Sequence, residues 1–444
     1  MQNLFDTIAS PITPLSTGGI GAIRISGEDS FKIAEKIFSK KFEAGKITHG
    51  WIIKDGVKLD EVILLPFKAP KSYTGEDVVE IQTHGSPIIV KEILNLILDS
   101  GARMADRGEF TKRAFLNHKI DLSQAEAIMD LVGAKSKSCA IVSAKNLDGA
   151  LTIETSKIKE DLAQILAKII ASIDFPEDVA EVPYEEIEKT LISAKEKIEN
   201  ILKSADSHNI LREGIKIAIS GRPNVGKSSL FNRLLSLDRA IVTDIAGTTR
   251  DSIAESVDIE GICANLIDTA GIREGEDINT VEKIGIEQAK NIMQDADINL
   301  LLFDSTQGIT KEDEEIFALA NTEKPKILVG TKIDLEGAKT IENAINISSI
   351  ANIGIDKLKA EIKNKITDLN FEDVDFITNQ RQQKCLNTAC EAIECALFGV
   401  LNMELQDLIS IDIKSALLAI DEISGEVMTD ELLNDIFSKF CIGK

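Results

Sequence analysis

One stretch, "IKIAISGRPNVGKSSLFNRLL" at residues 215–235, constrains the fold more than any other part of the chain. An apolar run leads into G-x-x-x-x-G-K-S, formed by Gly221, Gly226, Lys227 and Ser228, and a helical pattern follows. The glycines let backbone N–H groups surround phosphates, the lysine adds charge at the β and γ phosphates, and the serine can ligate Mg²⁺. This order predicts a phosphate-binding loop between a strand and a helix, rather than a chance glycine-rich turn.

The segment around this loop, residues 214–369, alternates short apolar runs with helical patterns and predicts a doubly wound parallel sheet. "DTAG" follows one such run; Asp268 can hold the Mg²⁺ shell, and the Gly271 N–H can meet a γ-phosphate. "VGTKIDL" follows another run, and there the carboxylate of Asp334 can accept hydrogen bonds from guanine. Together these motifs predict a Ras-like P-loop G domain that selects GTP over ATP.

Two further segments complete the predicted nucleotide site. "TDIAGTTRD", residues 243–251, lies between the first two motifs, and Thr249 is a candidate second Mg²⁺ hydroxyl beside Ser228. Ile272 follows Gly271 at the position where Ras-like enzymes place a water-orienting Gln. Another group must therefore orient the attacking water during hydrolysis. The candidate nucleotide contacts are Asn224, Val225, Gly226, Lys227, Ser228, Ser229, Thr243, Asp244, Ile245, Ala246, Gly247, Thr248, Thr249, Asp268, Thr269, Ala270, Gly271, Thr331, Lys332, Asp334, Ser348 and Ser349, with Lys227 also a candidate catalytic residue.

The flanking segments predict two further domains. Residues 1–118 mix β-type runs such as "GAIRIS" and "DVVEIQTH" with an amphipathic helix pattern, which indicates a small α/β domain. Residues 119–213 turn helical, and residues 370–444 resume that pattern, so the G domain at 214–369 is predicted to interrupt one discontinuous helical domain. The apolar stripe of the first helical block is Ile158, Leu162, Ile165, Leu166, Ile169 and Ile173, and that of the last helix is Leu432, Leu433, Ile436, Phe437 and Phe440.

Charge and composition narrow the classes of function. Residues 1–118 hold 15 Lys+Arg and 15 Asp+Glu, so the formal charge of −23 belongs to the remainder, which supports a boundary near 118. This charge argues against a protein that coats nucleic acid by itself, so an RNA partner needs a helper. The chain shows neither a membrane-length apolar run nor a secretory signal, and we expect it to be cytoplasmic. Its six cysteines suggest neither a disulfide framework nor a zinc site, and Cys385, Cys390 and Cys395 are predicted to be buried thiols.

The tail, "FCIGK", allows two readings. A prenylation signal is excluded because Gly443 replaces an aliphatic residue, Lys444 ends the tail, and no polybasic stretch precedes it. The tail is then either a frayed end or part of a site. Cys441 is a candidate nucleophile, although the sequence offers no adjacent base to lower its pKa.

These motifs together give the chain a specific resemblance. "GRPNVGKSSL", "TDIAGTTRD", "DTAGIRE", "YTGEDVVEIQTHG", "GEFTKRAFLNHKIDLSQAEAI" and the terminal "CIGK" resemble the MnmE (TrmE) family of tRNA-modifying GTPases, which is related to Era and other bacterial P-loop GTPases. The match extends over essentially the whole chain. The first three motifs are shared by several GTPase families, whereas the N-terminal stretches and the tail are typical of this one.

The resemblance implies a GTP-hydrolysing component that acts with the flavoprotein MnmG (GidA). The pair would add a carboxymethylaminomethyl or aminomethyl group at C5 of the wobble uridine of certain tRNAs. It also implies a homodimer built on the N-terminal domain, a tetrahydrofolate derivative (5-formyl or methylene) bound there, and K⁺-dependent pairing of G domains. Ribosome assembly, as by an Era- or Der-type GTPase, is the alternative, although such proteins usually carry a basic or second GTPase domain that is not seen here.

The resemblance also assigns roles to residues. Glu282 matches the family's catalytic glutamate, which orients the attacking water indirectly. The folate ligands carried over are Arg24, Glu80, Lys119 and Lys444, and those around K⁺ are Asn224, Thr243, Ile245 and Thr248. Two departures stand out: Thr331 replaces the usual Asn of the guanine motif, and Ser348–Ser349 replaces a Ser-Ala pair. With Asp334 retained, we expect GTP specificity with altered affinity.

Overall fold

The computed structural model describes residues 6–203, 214–238, 254–259, 261–268, 287, 289–367, 376 and 378–444. The chain divides into two compact units, Met1–Met129 with Leu417–Lys444, and Asp130–Ala416. This division follows contacts within the folded chain, and it does not coincide with the domain boundaries expected from the sequence. Those boundaries, near residues 118, 213 and 369, stay predictions.

The first unit is built on a six-stranded sheet in the order β3-β4-β5-β2-β1-β6. Its strands are β1 (Ile8–Pro11), β2 (Ile20–Ser26), β3 (Thr48–Lys54), β4 (Val57–Phe67), β5 (Val78–His84) and β6 (Arg103–Met104). The helices α1 (Ser30–Ile37) and α2 (Pro87–Asp99) bury apolar side chains against this sheet, among them Ile33, Ile37, Ile93 and Ile97. Alternation along the strands thus leaves polar residues such as Arg24 and Glu80 off the apolar core.

Helices complete this unit. They are α3 (Glu109–Leu116), α4 (Leu122–Val132) as far as Met129, and, toward the end of the chain, α12 (Gln406–Ser424) from Leu417 onward and α13 (Asp430–Ser438). Helix α13 packs on α3. Thr429 caps α13 by accepting from the Leu432 N–H, and Asp430 and Glu431 lie in its first turn, where the helix dipole favours acidic side chains.

The second unit contains another six-stranded sheet, in the order β12-β11-β10-β7-β9-β8. Its strands are β7 (Ile215–Ser220), β8 (Ala254–Ile259), β9 (Ile262–Asp268), β10 (Ile298–Asp304), β11 (Lys326–Thr331) and β12 (Ile345–Asn346). All neighbours pair in parallel except β8 with β9. Apolar side chains of α8 (Lys227–Asp238) and α10 (Ile355–Thr367) cover one face, and α9 (Lys311–Phe317) belongs to the other. The predicted doubly wound sheet is confirmed.

The rest of this unit is helical, as predicted. It comprises α5 (Lys137–Leu147), α6 (Ala150–Asp174), α7 (Tyr184–Lys203), α11 (Gln380–Leu401) and α12 as far as Ala416. Helix α7 packs against both α6 and α11. The predicted stripe of α6 is buried up to Ile169, but Ile173 in the last turn is 43% exposed. Periodicity marks an apolar face, whereas burial also needs a neighbour over it.

Two other expectations are corrected. Cys385 is buried, but Cys390 is half-buried and Cys395 is exposed, so the prediction of three buried thiols is wrong. The spacing of five residues turns successive side chains around a helix, and only one of these faces the core. Similarly, Leu432 is exposed while the rest of its predicted stripe is buried. In the described part of the chain, no helix is both long enough and apolar enough to cross a bilayer.

Candidate functional site

The phosphate-binding loop leaves the buried strand β7 and enters α8. Its backbone is left-handed at Gly221 (φ +154°), Asn224 (φ +63°) and Gly226 (φ +103°). A side chain at Gly221 would lie 2.5 Å from the Leu302 carbonyl oxygen, so only glycine fits there. Val225 is buried in the core beneath the sheet, which anchors the loop from below. The loop is therefore shaped by its glycines and by one apolar anchor.

Lys227, the candidate Mg²⁺ ligand Ser228 and Asp268, which was expected to hold the Mg²⁺ shell, meet at this loop. Lys227 is nearly buried, and its ammonium donates to the carbonyl oxygens of Gly221 (2.7 Å) and Arg222 (2.9 Å). The Ser228 hydroxyl lies 3.3 Å from a carboxylate oxygen of Asp268 at the end of β9. Parallel strands bring these motifs to one edge of the sheet, which is where open α/β sheets bind ligands. Ser229, the next residue, is exposed.

The guanine motif lies at the end of β11, which is two strands away from β7 in the sheet. Thr331 is buried, and its hydroxyl is 2.5 Å from the Val225 carbonyl oxygen and 3.0 Å from that of Phe303. Lys332 has a left-handed backbone (φ +60°), and its ammonium pairs with Asp304 at 2.7 Å. Asp334 is exposed, so its carboxylate is accessible to a guanine base.

The electrostatics of Asp304 follow from its position. Burial acts to raise the pKa of this carboxyl, but the Lys332 ammonium and the hydroxyl and N–H of Thr306 outweigh burial and hold the pKa below its ordinary value. Asp304 therefore stays ionised at neutral pH as an acceptor for Lys332.

The loop that carries Ser348 and Ser349 is tied to α8. Ser348 is buried, and its backbone exchanges hydrogen bonds with Ile353. Arg233 of α8 donates to the carbonyl oxygens of Ser349 (2.9 Å) and Ile350 (3.3 Å). Arg233 contacts the backbone of residue 349 and not its side chain. Having Ser349 where the family has alanine therefore does not remove this contact.

Several predicted site residues lie outside the described part of the chain. These are Thr243, Asp244, Ile245, Ala246, Gly247, Thr248, Thr249, Thr269, Ala270, Gly271 and Glu282. Their roles stay predictions.

The first unit brings together some of the predicted folate residues. Arg24 of β2 lies opposite Glu80 of β5, and the two form an ion pair of 2.8 Å. The guanidinium of Arg24 also lies 4.3 Å from the ring centre of Tyr73 and 5.3 Å from that of Phe110. Such cation–π contacts hold the guanidinium in place. Tyr73 and Phe110 were not singled out from sequence, because only the sheet register shows what surrounds Arg24.

The tail reaches the same place. The Phe110 N–H donates to the Lys444 backbone oxygen (3.2 Å), and Gly443 is buried beside Pro11 of β1 with φ +93°. Phe440 and Phe437 are buried ahead of it, with ring centres 5.3 Å apart. The reading of the tail as a frayed end is therefore wrong. Cys441 is exposed.

Lys119 is positioned separately, beyond the end of α3. Its ammonium donates to the Pro70 carbonyl oxygen at 3.2 Å. Its side chain runs beside Gly75, where an added Cβ would lie 3.2 Å from the Lys119 Cγ. No contact of Lys119 with Arg24 or Glu80 is seen among the described residues.

Comparison with known proteins shows which family this chain resembles. A family model described as the MnmE helical domain matches residues 122–441, and one described as the GTP-binding protein TrmE N-terminus matches residues 7–119. An Era structure with MgGDPNP and a 16S ribosomal RNA segment is 27% identical over 40% of this chain and 66% of its own. Its TM-score is only 0.29, so we base no argument on this similarity.

Full-length relatives are more informative. "tRNA modification GTPase MnmE" of Streptococcus pneumoniae (strain Hungary19A-6) is 41% identical over 99% of both chains. The protein of the same name from Caldicellulosiruptor saccharolyticus is 44% identical over 99% of this chain and 100% of its own. Identity of this extent, with a phosphate loop and a guanine motif at one sheet edge, leaves one assignment: this chain belongs to the MnmE family.

Proposed function

We propose that this protein is the GTP-hydrolysing component of a complex that modifies tRNA. The observation that carries the proposal is the meeting of Lys227, the Ser228–Asp268 pair and the Thr331–Asp334 motif at one edge of a sheet. Full-length relatives named tRNA modification GTPases supply the substrate class. The full-length relatives named above are tRNA modification GTPases rather than ribosome-assembly GTPases, and we therefore do not propose the Era- or Der-type alternative.

The described residues suit GTP and Mg²⁺. The Lys227 ammonium donates to two carbonyl oxygens of the phosphate loop, so it is held at the place where phosphate oxygens would bind and could form charge-assisted hydrogen bonds with them. The Ser228 hydroxyl and the Asp268 carboxylate are close enough to serve one Mg²⁺ shell, Ser228 directly and Asp268 directly or through water. A bound Mg²⁺ would neutralise charge that develops on the phosphates. Asp334 would accept from guanine and thereby select GTP.

We extend the proposal to K⁺ and to a tetrahydrofolate derivative. Asn224 presents an exposed amide at the mouth of the phosphate loop, which suits a K⁺ ligand. In the first unit the Arg24–Glu80 pair, with Tyr73 and Phe110 beside it, combines the charge and ring surface that suit a pterin and its glutamate tail. Lys444 and Lys119 would supply further positive charge.

The finer features of the function are proposed on the family relation. These are modification at C5 of the wobble uridine with a carboxymethylaminomethyl or aminomethyl group, a homodimer, the flavoprotein MnmG as partner, and a cytoplasmic location. The charge of −23 supports a partner that supplies the positive surface for tRNA. Cys441, exposed on a docked tail, is proposed as a reactive group of the modification step.

Nucleoside mass analysis tests this function. In tRNA from a deletion strain we expect the C5-modified wobble uridine to disappear, and to return with the wild-type gene but not with Lys227→Ala. Wild-type levels of the modified nucleoside in the deletion strain would contradict the proposal. Rescue by the Lys227→Ala gene would instead show that the modification does not need the GTPase.

A further inference from the structure

The second residue of the phosphate loop, Arg222, is bound by side chains that follow strand β10. Its Nε donates to the Asp313 Oδ1 at 2.7 Å, and one terminal nitrogen donates to the Gln307 side chain at 3.3 Å. Arg222 is mostly buried, and the side chain of Asp313 has no exposed surface at all. This ion pair joins residues 91 positions apart.

Asp313 is fully committed to these contacts. Its other oxygen accepts from the Thr310 N–H (3.0 Å) and the Thr310 hydroxyl (2.8 Å). The Asp313 N–H in turn donates to the Thr310 hydroxyl oxygen (3.4 Å), which completes the capping box at the start of α9. Burying a carboxylate is costly unless a cation and hydrogen bonds compensate it, and Arg222 is the cation here. Removing Arg222 would leave the Asp313 carboxylate with no exposed surface and without this counter-ion, whereas removing Asp313 would leave Arg222 with the more distant, exposed Glu312.

The segment that precedes Asp313 in the chain also contacts the guanine motif. Asp304, nine residues before Asp313, pairs with Lys332 at 2.7 Å, and its second oxygen accepts from Thr306. The Ser305 N–H donates to the Thr331 carbonyl oxygen at 3.0 Å. Residues 304–313, which we name the clamp segment, thus bind the phosphate loop at one end and the base-reading loop at the other.

We propose that Arg222 and Asp313 are positioning residues of the nucleotide site, through which the clamp segment holds the phosphate loop and the base-reading loop in one geometry. This inference rests on the proposed nucleotide binding. Neither residue touches the nucleotide in this scheme: Arg222 acts through the loop backbone, and Asp313 acts through Arg222. A rigid loop loses less conformational freedom when a nucleotide binds, so the ion pair strengthens binding of GDP and GTP alike.

A competing role for Arg222 would be direct contact with the phosphates during hydrolysis, as an arginine supplied from within the chain. The structure disfavours this role because reaching the phosphates would strip Asp313 of its cation. The two roles differ in the kinetic constant that they change. A positioning arginine affects nucleotide affinity and KM, whereas a catalytic arginine affects kcat.

The experiment uses the full chain with four variants: Arg222→Gln, Arg222→Lys, Asp313→Asn and the double variant Arg222→Gln/Asp313→Asn. Glu312→Gln is the matched control, since Glu312 neighbours Asp313 but is 77% exposed and 3.8 Å from Arg222. Affinity for fluorescent GDP, the kcat and KM of GTP hydrolysis, and thermal unfolding are measured for each. Arg222→Lys keeps the charge without touching α9, so it reports on the site even if the Asp313 variant folds poorly.

We expect Arg222→Gln and Asp313→Asn each to weaken GDP affinity and raise KM by about tenfold, within the usual range for residues coupled in one network. The double variant should be no worse than either single one, Arg222→Lys should be intermediate, and kcat at saturating GTP should change little. A lowered melting temperature with wild-type GDP affinity would overturn the inference in favour of a structural ion pair. A loss of kcat with unchanged KM and GDP affinity would overturn it in favour of a catalytic arginine. Failure of the wild-type chain to bind GDP would instead overturn the proposed function itself.

Discussion

At the scale of single residues, Thr331 shows how the structure accommodates a departure from the family motif. The usual asparagine offers an amide, whereas this chain offers one buried hydroxyl between the Val225 and Phe303 carbonyl oxygens. A hydroxyl has a single hydrogen, so it donates to one of these oxygens at a time. The contact with Val225 still ties the base-reading strand to the phosphate loop, which the sequence change alone did not reveal.

Thr331→Val should therefore be costly although the two side chains have nearly the same shape. We expect the free energy of unfolding to fall by about 1–3 kcal/mol, because a buried carbonyl oxygen loses its donor. GDP affinity should fall as well, since the phosphate loop loses a tether. Denaturant unfolding and fluorescent GDP titration check both, with exposed Thr322→Val as control and Thr331→Ser as rescue. Unchanged GDP binding in Thr331→Val would show that the tether is dispensable for the site.

At the scale of secondary-structure elements, hydrophobic periodicity and turn residues predicted several strands and the helices with a clear apolar stripe. "IKIAIS" and "DVVEIQTH" correspond to β7 and β5, and the spacing of apolar residues identified α6 and α13. The errors at Ile173, Leu432 and Cys395 share one cause. A periodic pattern shows which face can be buried, but the neighbouring element decides how much of it is.

The tail after α13 gives an element-scale prediction. Gly443 has φ +93°, and an added Cβ would collide with the Pro11 carbonyl oxygen. Gly443→Ala should displace the tail and cost about 1–3 kcal/mol, the usual range for backbone strain. Exchange of the Phe110 amide, which donates to Lys444, should accelerate in hydrogen-exchange mass spectrometry of residues 109–116.

The matched control is Gly45→Ala, where φ is +76° but no atom lies within 4 Å of an added Cβ. This variant has the backbone strain without the collision. It should leave exchange in residues 109–116 at the wild-type rate. Equal exchange in Gly443→Ala and the wild type would mean that the tail does not depend on this close approach.

At the scale of the whole molecule, the proposed pairing of two G domains around K⁺ predicts a salt- and concentration-dependent activity. GTP turnover should be faster in K⁺ than in Na⁺, because a K⁺ ion beside the phosphates would supply the charge that an arginine finger gives elsewhere. Turnover should also rise with protein concentration, because the proposed K⁺ site needs two paired G domains. Asn224→Gly removes the exposed amide and suits φ +63°, so it should abolish the K⁺ advantage.

Asn352→Gly is the control for that variant, since Asn352 is also exposed and left-handed (φ +56°) in the same unit. It should keep the wild-type response. Equal turnover in both salts at every protein concentration would argue against a K⁺ site at Asn224.

The sequence by itself determined the nucleotide motifs, the parallel sheet of the G domain and the helical character of its flanks. These properties depend on contiguous residues and on short spacings between apolar residues. Local backbone preferences and the burial of one face of each element are sufficient to produce them. The tertiary structure decided what distant residues do together. The register of β2 and β5 paired Arg24 with Glu80, and chain packing placed the tail at Phe110 and Asp313 on Arg222. Such contacts depend on the path of the whole chain, so no local pattern could encode them.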